Sequence, residues 1–291
     1  MSAEAVIGVD DAGESIVARS SFWSRARRSP TFLVGGSLTS LILLILFLAP
    51  VLARHNPDTL NLTSLLSGPT SQHWLGTDDL GRDEWARVLY GGRTDIEVGV
   101  VTVLFPLIFG VAIGTFIGYV GGVVDTIVMR VVDVVLAFPF YVLIIALVAF
   151  IGAGVHGIFL AFGLTDWVVY ARLTRSSTIV ARHQDWVAAA VNGGVPRWRV
   201  LLRHIIPNTI SQSLVYVMSD IVLVILAVVT LGYLGLGLQP PSPDWGAMIG
   251  EGQAYIFTNQ WQVLIPGIAL LLTGTGFSLL GDGLADVLRP Q

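Results

Sequence analysis

Apolar residues in this chain come in long uncharged blocks separated by short polar ones, the pattern of a polytopic helical membrane protein. The first block, Thr31–Ala53, contains no charged residue. A helix needs about 20 apolar residues to cross a hydrocarbon core of about 30 Å, so this block is long enough to span. A cleaved signal peptide is the competing reading, because Val51-Leu52-Ala53 loosely fits a small-residue cleavage site. The long polar leader and the long apolar run favour a retained span. Comparable runs predict further helices at about Val98–Val120, Met129–Ile151, Val155–Arg172, Thr209–Leu238 and Val263–Leu280. The fold class is therefore all-α with six transmembrane helices. Gly152-Ala153-Gly154 reads as a tight turn, Pro240, Pro241 and Pro243 close the fifth span, and Pro106 and Pro139 predict kinks. Outside the spans, Trp85, Val88 and Leu89 predict one face of an interfacial helix, with Trp74 and Trp85 at headgroup depth. A half-buried helix is expected near Trp245–Ile256, within an external loop at 239–262.

Both termini of a six-span chain lie on one side, and arginine decides which. With the N-terminus inside, the cytoplasmic set is Arg19, Arg25, Arg27, Arg28, Arg130, Arg172, Arg175, Arg182, Arg197, Arg199, Arg203 and Arg289. The outer set is Arg54, Arg82, Arg87 and Arg93. Twelve against four places both termini in the cytoplasm. The expected division is a cytoplasmic tail at 1–30, the first span at 31–53 and an extracytoplasmic segment at 54–95. A membrane core of five spans follows at 96–285, with a cytoplasmic loop at 180–208, and then a tail at 286–291. Residues 1 to about 20 lack the apolar density to fold alone.

Composition agrees with the membrane reading. The chain is 54% apolar and 12% charged, whereas soluble domains carry about 25% charged residues. Cysteine is absent, which excludes disulfides, thiol catalysis and Cys-based zinc sites. All sixteen basic residues are arginine. A P-loop needs its lysine, so an ATP site, if the system has one, belongs to another chain.

The segment Asp185–Asn208, DWVAAAVNGGVPRWRVLLRHIIPN, interrupts the membrane pattern. Trp186, Ala189, Ala190 and Gly193 have helical spacing, and Gly193-Gly194 breaks that helix. Pro196 fits the first turn of a second helix. There Trp198, Leu201, Leu202, Ile205 and Ile206 make one apolar face, and Pro207 is expected to end it. This segment resembles the cytoplasmic "EAA" coupling loop of ABC-importer permeases. Ala189-Ala190, Gly194 and Pro207 match that pattern, while Ala188 stands where the family has Glu. His73–Arg93, Met129–Phe140, Leu234–Gly252 and Leu279–Pro290 also resemble the dipeptide/oligopeptide/nickel branch, and within it the C-type permease subunit.

The resemblance covers roughly residues 20 to 290 and implies a type I ABC importer permease in a bacterial inner membrane. It implies a second homologous permease as heterodimer partner, two ABC ATPase subunits or domains and an extracytoplasmic substrate-binding protein. ATP and Mg would be bound by the ATPases and no cofactor by this chain, whose own role is transport and not catalysis. Short peptides are the implied substrates, with nickel chelates, glutathione or another small solute as alternatives. The ATPase-coupling residues are then Asp185, Ala188, Ala189, Ala190, Gly193, Gly194, Val195, Pro196, Arg199 and Pro207.

Other candidates read less sharply. Gly110, Gly114 and Gly118 put small residues on one stripe of the second span. They fit either packing within the subunit or a seam with the partner permease. Asp220 lies about eleven residues, or ~16 Å, into the fifth span. It marks a pathway or polar contact at depth, or a carboxylate near the cytoplasmic surface if the span starts later. Asp166 reads as interfacial. The branch often has an intramembrane Glu before the LGLG segment, and that position here is Val228. His55, His73, His156, His183 and His204 form no HExxH and no i, i+4 pair, so no metal site is predicted. LGYLGLGL at 231–238 has no strand before it and reads as helix packing, not a nucleotide loop. Arg197, Arg199 and Arg203 read as positive-inside charge, not as a nucleic-acid surface. An intramembrane enzyme would need a paired nucleophile and base at depth, and no such pattern is present. A stand-alone secondary transporter would be expected to show inverted repeats, and none is visible.

Overall fold

Two short helices and a capped one begin the described part of the chain, residues 22–288 of a computed structural model. α1 is Phe22–Ala26, α2 is Pro30–Phe47 and α3 is Ala49–Leu52. Ser29 caps α2 by accepting a hydrogen bond from the Phe32 N–H at 3.2 Å, and Pro30 occupies the first turn, where no N–H is needed. Residues 1–21 of the expected N-terminal tail and 289–291 of the C-terminal one lie outside the described residues.

The main body follows. α4 is Glu84–Val120, α5 is Gly122–Leu136, α6 is Phe140–Ile151, α7 is Val155–Thr165 and α8 is Trp167–Ala181. α9 is Asp185–Asn192, α10 is Arg197–Val200, α11 is Ile206–Tyr233, α12 is Trp245–Gly252 and α13 is Trp261–Leu288. Among the described residues there is no strand beyond one bridge between Thr77 and Asp83. Four helical runs are long and apolar enough to cross a membrane: Pro30–Phe47, Glu84–Val120, Arg197–Tyr233 and Trp261–Leu288. The α5–α6 pair makes a fifth if counted as one broken span. Six spans are compatible with this set, the remaining predicted one being divided between α7 and α8.

Three local expectations need correction. The second predicted span does not start at Val98. Asp83 caps α4 by accepting from the Ala86 N–H at 2.9 Å, and the helix runs 37 residues from Glu84. Trp85, Val88 and Leu89 therefore lie in the first turns of a spanning helix, not on a separate interfacial one. The kink expected at Pro139 is present as a 90° bend of the third predicted span around Ala137-Phe138-Pro139, where Pro139 caps α6 and cannot continue α5. The fourth is broken at Asp166. Pro207 ends nothing: α10 continues through a π turn, Leu201–Ile205, directly into α11. A π turn pairs residues five apart, so the wider turn ahead of Pro207 absorbs its missing i to i−4 bond.

α4, α8 and α11 form the centre of the bundle. Gly110, Gly114 and Gly118 face α8 in this same chain. A Cβ at Gly110 would lie 2.5 Å from the Trp167 carbonyl oxygen, and one at Gly118 would lie 2.9 Å from that of Arg175. At Gly114 it would run into the backbone of Ala171. The two helix backbones touch along this stripe, as small residues allow. Gly114→Ala is expected to destabilise the bundle by about 1–3 kcal/mol through overpacking. Gly36→Ala, whose nearest new neighbour would be Leu280 Cδ1 at 3.8 Å, should be close to neutral. Thermal unfolding of the two variants in detergent checks this, and equal midpoints would show that α4 and α8 are not held this closely.

Large apolar side chains ring the outside: Phe47, Val51, Ile108, Val123, Phe150 and Leu271 are all well exposed. In a membrane chain these face lipid or neighbouring subunits. Residues 53–83 fold over the start of α4. Trp85 Nε1 donates to the Leu52 carbonyl at 3.1 Å, and Trp74 packs on Trp85 with ring centroids 5.8 Å apart.

Candidate functional site: the coupling segment and the polar seam

The segment Asp185–Asn208 forms a helix, a glycine turn and a second helix, attached to the bundle by a small core of its own. Ala181, Val187, Val200 and Ile205 are buried there, packed by Tyr119, Ala190 and Val195. Asp185 sits in the first turn of α9, where its charge complements the helix dipole. α9 ends in a Schellman motif. Gly194 N–H donates to the Val191 carbonyl at 3.0 Å, and Val195 N–H donates to that of Ala190 at 3.1 Å. Gly193 is the C-cap, and Gly194 follows it with φ +81. The motif wants a left-handed residue at that position and an apolar contact behind it. Gly194 supplies the first, and Val195 against Ala190 supplies the second. Pro196 caps α10.

The surface of this segment faces away from the bundle. Asp185, Ala188, Ala189, Gly193, Gly194, Pro196, Arg199 and Pro207 are exposed. Trp186, Val191, Trp198 and Leu202 are exposed apolar residues around them. The predicted apolar face of the second helix is therefore split. Ile205 is fully buried, while Trp198 is 60% and Leu202 57% exposed. The π turn changes the angular step between residues, so a stripe drawn at α-helical spacing does not stay on one side. Arg199 stacks over Trp198 at 5.2 Å. Arg182 Nη1 donates to the Gly118 carbonyl at 2.9 Å, fixing the end of α4 to the start of the segment.

A polar seam joins α8 to α11 inside the bundle. Tyr170 Oη donates to Asp220 Oδ2 at 2.6 Å, and Tyr216 meets the Tyr170 ring edge-on at 5.2 Å. Thr174 and Ser213 share a hydrogen bond of 3.0 Å, with both residues fully buried. Asp220 is 2% exposed, halfway along α11, and buried inside the bundle as a polar contact. Asp166 is 4% exposed at the α7–α8 junction and faces Asp220, a contact the sequence did not announce. Tyr170 was the sequence signal for this seam: a tyrosine inside a span needs a partner for its hydroxyl. Val228 is fully buried among apolar side chains.

On the side of the 54–95 segment, two of the family-like motifs meet. Arg82 donates to Asp78 at 2.5 Å and to Glu251 at 2.8 Å. Arg87 reaches Asp78 at 3.0 Å and Glu251 at 2.8 Å. Trp245 is buried, its Nε1 donates to the Val88 carbonyl at 2.9 Å, and its backbone N–H donates to Asp95 at 2.9 Å. Burial pushes the Asp244 carboxyl up to about 6, against backbone donors at Ala247 and Gly246 that pull it down. The histidines are not all isolated either: His55 and His73 converge on Asp83.

The described residues form an all-helical bundle of membrane-length helices that holds a helix–glycine–helix segment outside its core. The family model described as "Binding-protein-dependent transport system inner membrane component" matches residues 110–291, and "N-terminal TM domain of oligopeptide transport permease C" matches residues 19–69. The chain is 38% identical over 263 residues to the probable D,D-dipeptide transport system permease protein DdpC of Escherichia coli (strain K12), covering 90% of this chain and 88% of that one. It is 37% identical over 254 residues to the dipeptide transport system permease protein DppC of Alkalihalophilus pseudofirmus, covering 87% and 83%. It is 36% identical over 271 residues to the glutathione transport system permease protein GsiD of Pectobacterium atrosepticum, covering 93% and 90%. The chain belongs to the family of inner-membrane components of binding-protein-dependent transport systems, as a C-type ABC-importer permease.

Proposed function

We propose that this permease forms half of the translocation pathway of an ATP-driven importer of short peptides. A second homologous permease supplies the other half. Two ABC ATPases bind ATP and Mg and dock on the exposed face of α9 and α10, and an extracytoplasmic substrate-binding protein delivers the ligand. The observation that carries this reading is the exposed apolar and small-residue surface of the segment around Gly194, tied to the end of α4 by the Arg182 hydrogen bond. α10 runs without a break into α11, so a push on α10 is transmitted to α11 and to the Tyr170–Asp220 contact with α8. ATP-driven closure of the ATPases would thereby shift α11 relative to α8 and switch the pathway between its two openings.

Substrate class rests on the relatives, two named for dipeptide transport and one for glutathione, itself a short peptide. Proteoliposomes holding the full transporter, with binding protein outside and ATP at the ATPases, should accumulate labelled dipeptide. Glutathione uptake without dipeptide uptake would move the assignment to that substrate. Uptake of neither would overturn the peptide reading.

Orientation follows from the arginine split, with both termini and the α9–α10 segment in the cytoplasm. Reporter fusions at Asn192 and at the C-terminus should read cytoplasmic, and one at Thr70 external. If Thr70 and Asn192 report the same side, the six-span arrangement is wrong.

A further inference from the structure

Three side chains far apart in sequence meet where residues 53–83 fold back on the start of α4. His73 Nδ1 lies 2.7 Å from Asp83 Oδ1, and His55 Nδ1 lies 3.7 Å from the same oxygen. The two imidazoles are tilted by 32° with centroids 4.8 Å apart. The other carboxylate oxygen, Oδ2, accepts from the Ala86 N–H as the cap of α4, which fixes the direction of Oδ1. A hydrogen bond accounts for His73. It does not account for His55, which is beyond hydrogen-bond reach yet has its Nδ1 turned to the same oxygen.

We propose that His55, His73 and Asp83 form a binding site for one divalent transition-metal ion of the zinc class. Zinc sits about 2.0–2.2 Å from nitrogen and oxygen ligands in tetrahedral sites, which places neighbouring donors about 3.3 Å apart. The two separations from Asp83 Oδ1, 2.7 and 3.7 Å, bracket that value. A small rotation of His55, whose side chain is 40% exposed, would shorten the longer separation, and a small outward shift of His73, 15% exposed, would lengthen the shorter one. The carboxylate is already oriented from behind by a backbone donor, as ligating carboxylates usually are. Two imidazole nitrogens and one carboxylate oxygen favour zinc, nickel or copper over magnesium and calcium, which prefer all-oxygen sets. His55 is 40% exposed, so water or a donor from a docking partner could complete the shell. The neighbouring acidic group of Asp78, Asp79 and Glu251 is a different case, because Arg82 and Arg87 already neutralise it. Bound metal would pin the chain just after α3 to the N-cap of α4 and stiffen the 54–83 cap. The proposal stands apart from the transport reading and is tested without transport.

The complete transporter, purified with a tag free of histidine and stripped with chelator, would be titrated with Zn²⁺ by calorimetry. Wild type should bind one more equivalent per copy of this chain than His55→Ala or His73→Ala does. Loss of an outer-shell partner already costs roughly 10- to 100-fold in affinity, so loss of a direct ligand should cost at least that. Mg²⁺ and Ca²⁺ should not compete, and His156→Ala should match wild type. Zn²⁺ should raise the unfolding temperature of wild type and leave that of His55→Ala unchanged. Because His55 is half-exposed and no hydrogen bond of the cap depends on it, that variant is expected to fold. Should it fail to, His55→Cys keeps a donor in place and should retain the extra equivalent. Equal zinc stoichiometry and affinity in wild type and the His55→Ala/His73→Ala double variant would overturn the site, leaving a His73–Asp83 hydrogen bond with no metal.

Discussion

Gly194→Val will leave this permease inserted in the membrane while transport is lost. Gly194 occupies the left-handed position of the Schellman motif that closes α9, with φ +81. A non-glycine residue there costs about 1–2 kcal/mol, and a β-branched one is a steric outlier. No atom of this chain lies within 4 Å of the Cβ that valine would add, so the cost is backbone strain and not a clash inside the subunit. The strained turn would relax by re-aiming α10 against α9, which changes the surface proposed to meet the ATPases. The glycine-lined contact of α4 with α8 is untouched, so insertion and thermal stability should stay near wild type. Uptake in vesicles is expected to fall at least about tenfold, the effect of about 1.4 kcal/mol on a docking equilibrium. ATPase recovery on co-purification should fall with it. Gly194→Asn should be milder, because asparagine tolerates the left-handed region. Ala188→Glu, which restores the residue usual in this family, changes an exposed position and should be tolerated. Full uptake and full ATPase recovery with Gly194→Val would remove this turn from the mechanism.

Asp220→Leu should lower both stability and transport. The change deletes the acceptor of the Tyr170 hydroxyl and leaves that group buried without a partner. An unsatisfied buried hydroxyl costs about 1–3 kcal/mol, and leucine also has to fit where a carboxylate was. The damage falls on the α8–α11 contact, through which motion of the coupling segment is proposed to reach the pathway. Asp220→Asn keeps a hydrogen-bonding group and should retain most activity. Tyr170→Phe combined with Asp220→Leu should cost less than the sum of the two, because residues in one hydrogen-bonded pair couple by about 0.5–3 kcal/mol. Unfolding in detergent and uptake in vesicles measure the two sides. Additive effects, or normal behaviour of Asp220→Leu, would show that the seam bears no such role.

What could be read from the chain alone was decided by local chemistry, and what could not depended on distant partners. The break at Pro139 and the turn at Gly194 follow from residues that dictate their own backbone. The start of α4 at Glu84 was hidden, because Arg87, Arg93, Asp95 and Glu97 look like loop charges until Glu251 and Trp245 cover part of them. The contact of Asp166 with Asp220 was hidden for the same reason: the two are remote in sequence. Pro207 defeated a sound local rule, since a π turn two residues earlier lets the helix pass. The stripe Gly110-Gly114-Gly118 announced a close helix contact, but only the position of α8 says that the contact is internal. His55 and His73 illustrate the limit of spacing rules, because a loop, not a helix face, brings them together.

The chain contains no cysteine, so a single one can be placed anywhere without background. Asn192→Cys, at the exposed end of α9, tests the central claim in one step. In membranes holding the complete transporter, a short cross-linker should join this position to an ATPase subunit, and a membrane-impermeant thiol reagent added outside should not block it. A cysteine at Thr70 should behave in the opposite way, blocked from outside and never joined to the ATPase. Labelling of Asn192→Cys from outside, or cross-linking of Thr70→Cys and not Asn192→Cys to the ATPase, would contradict the account.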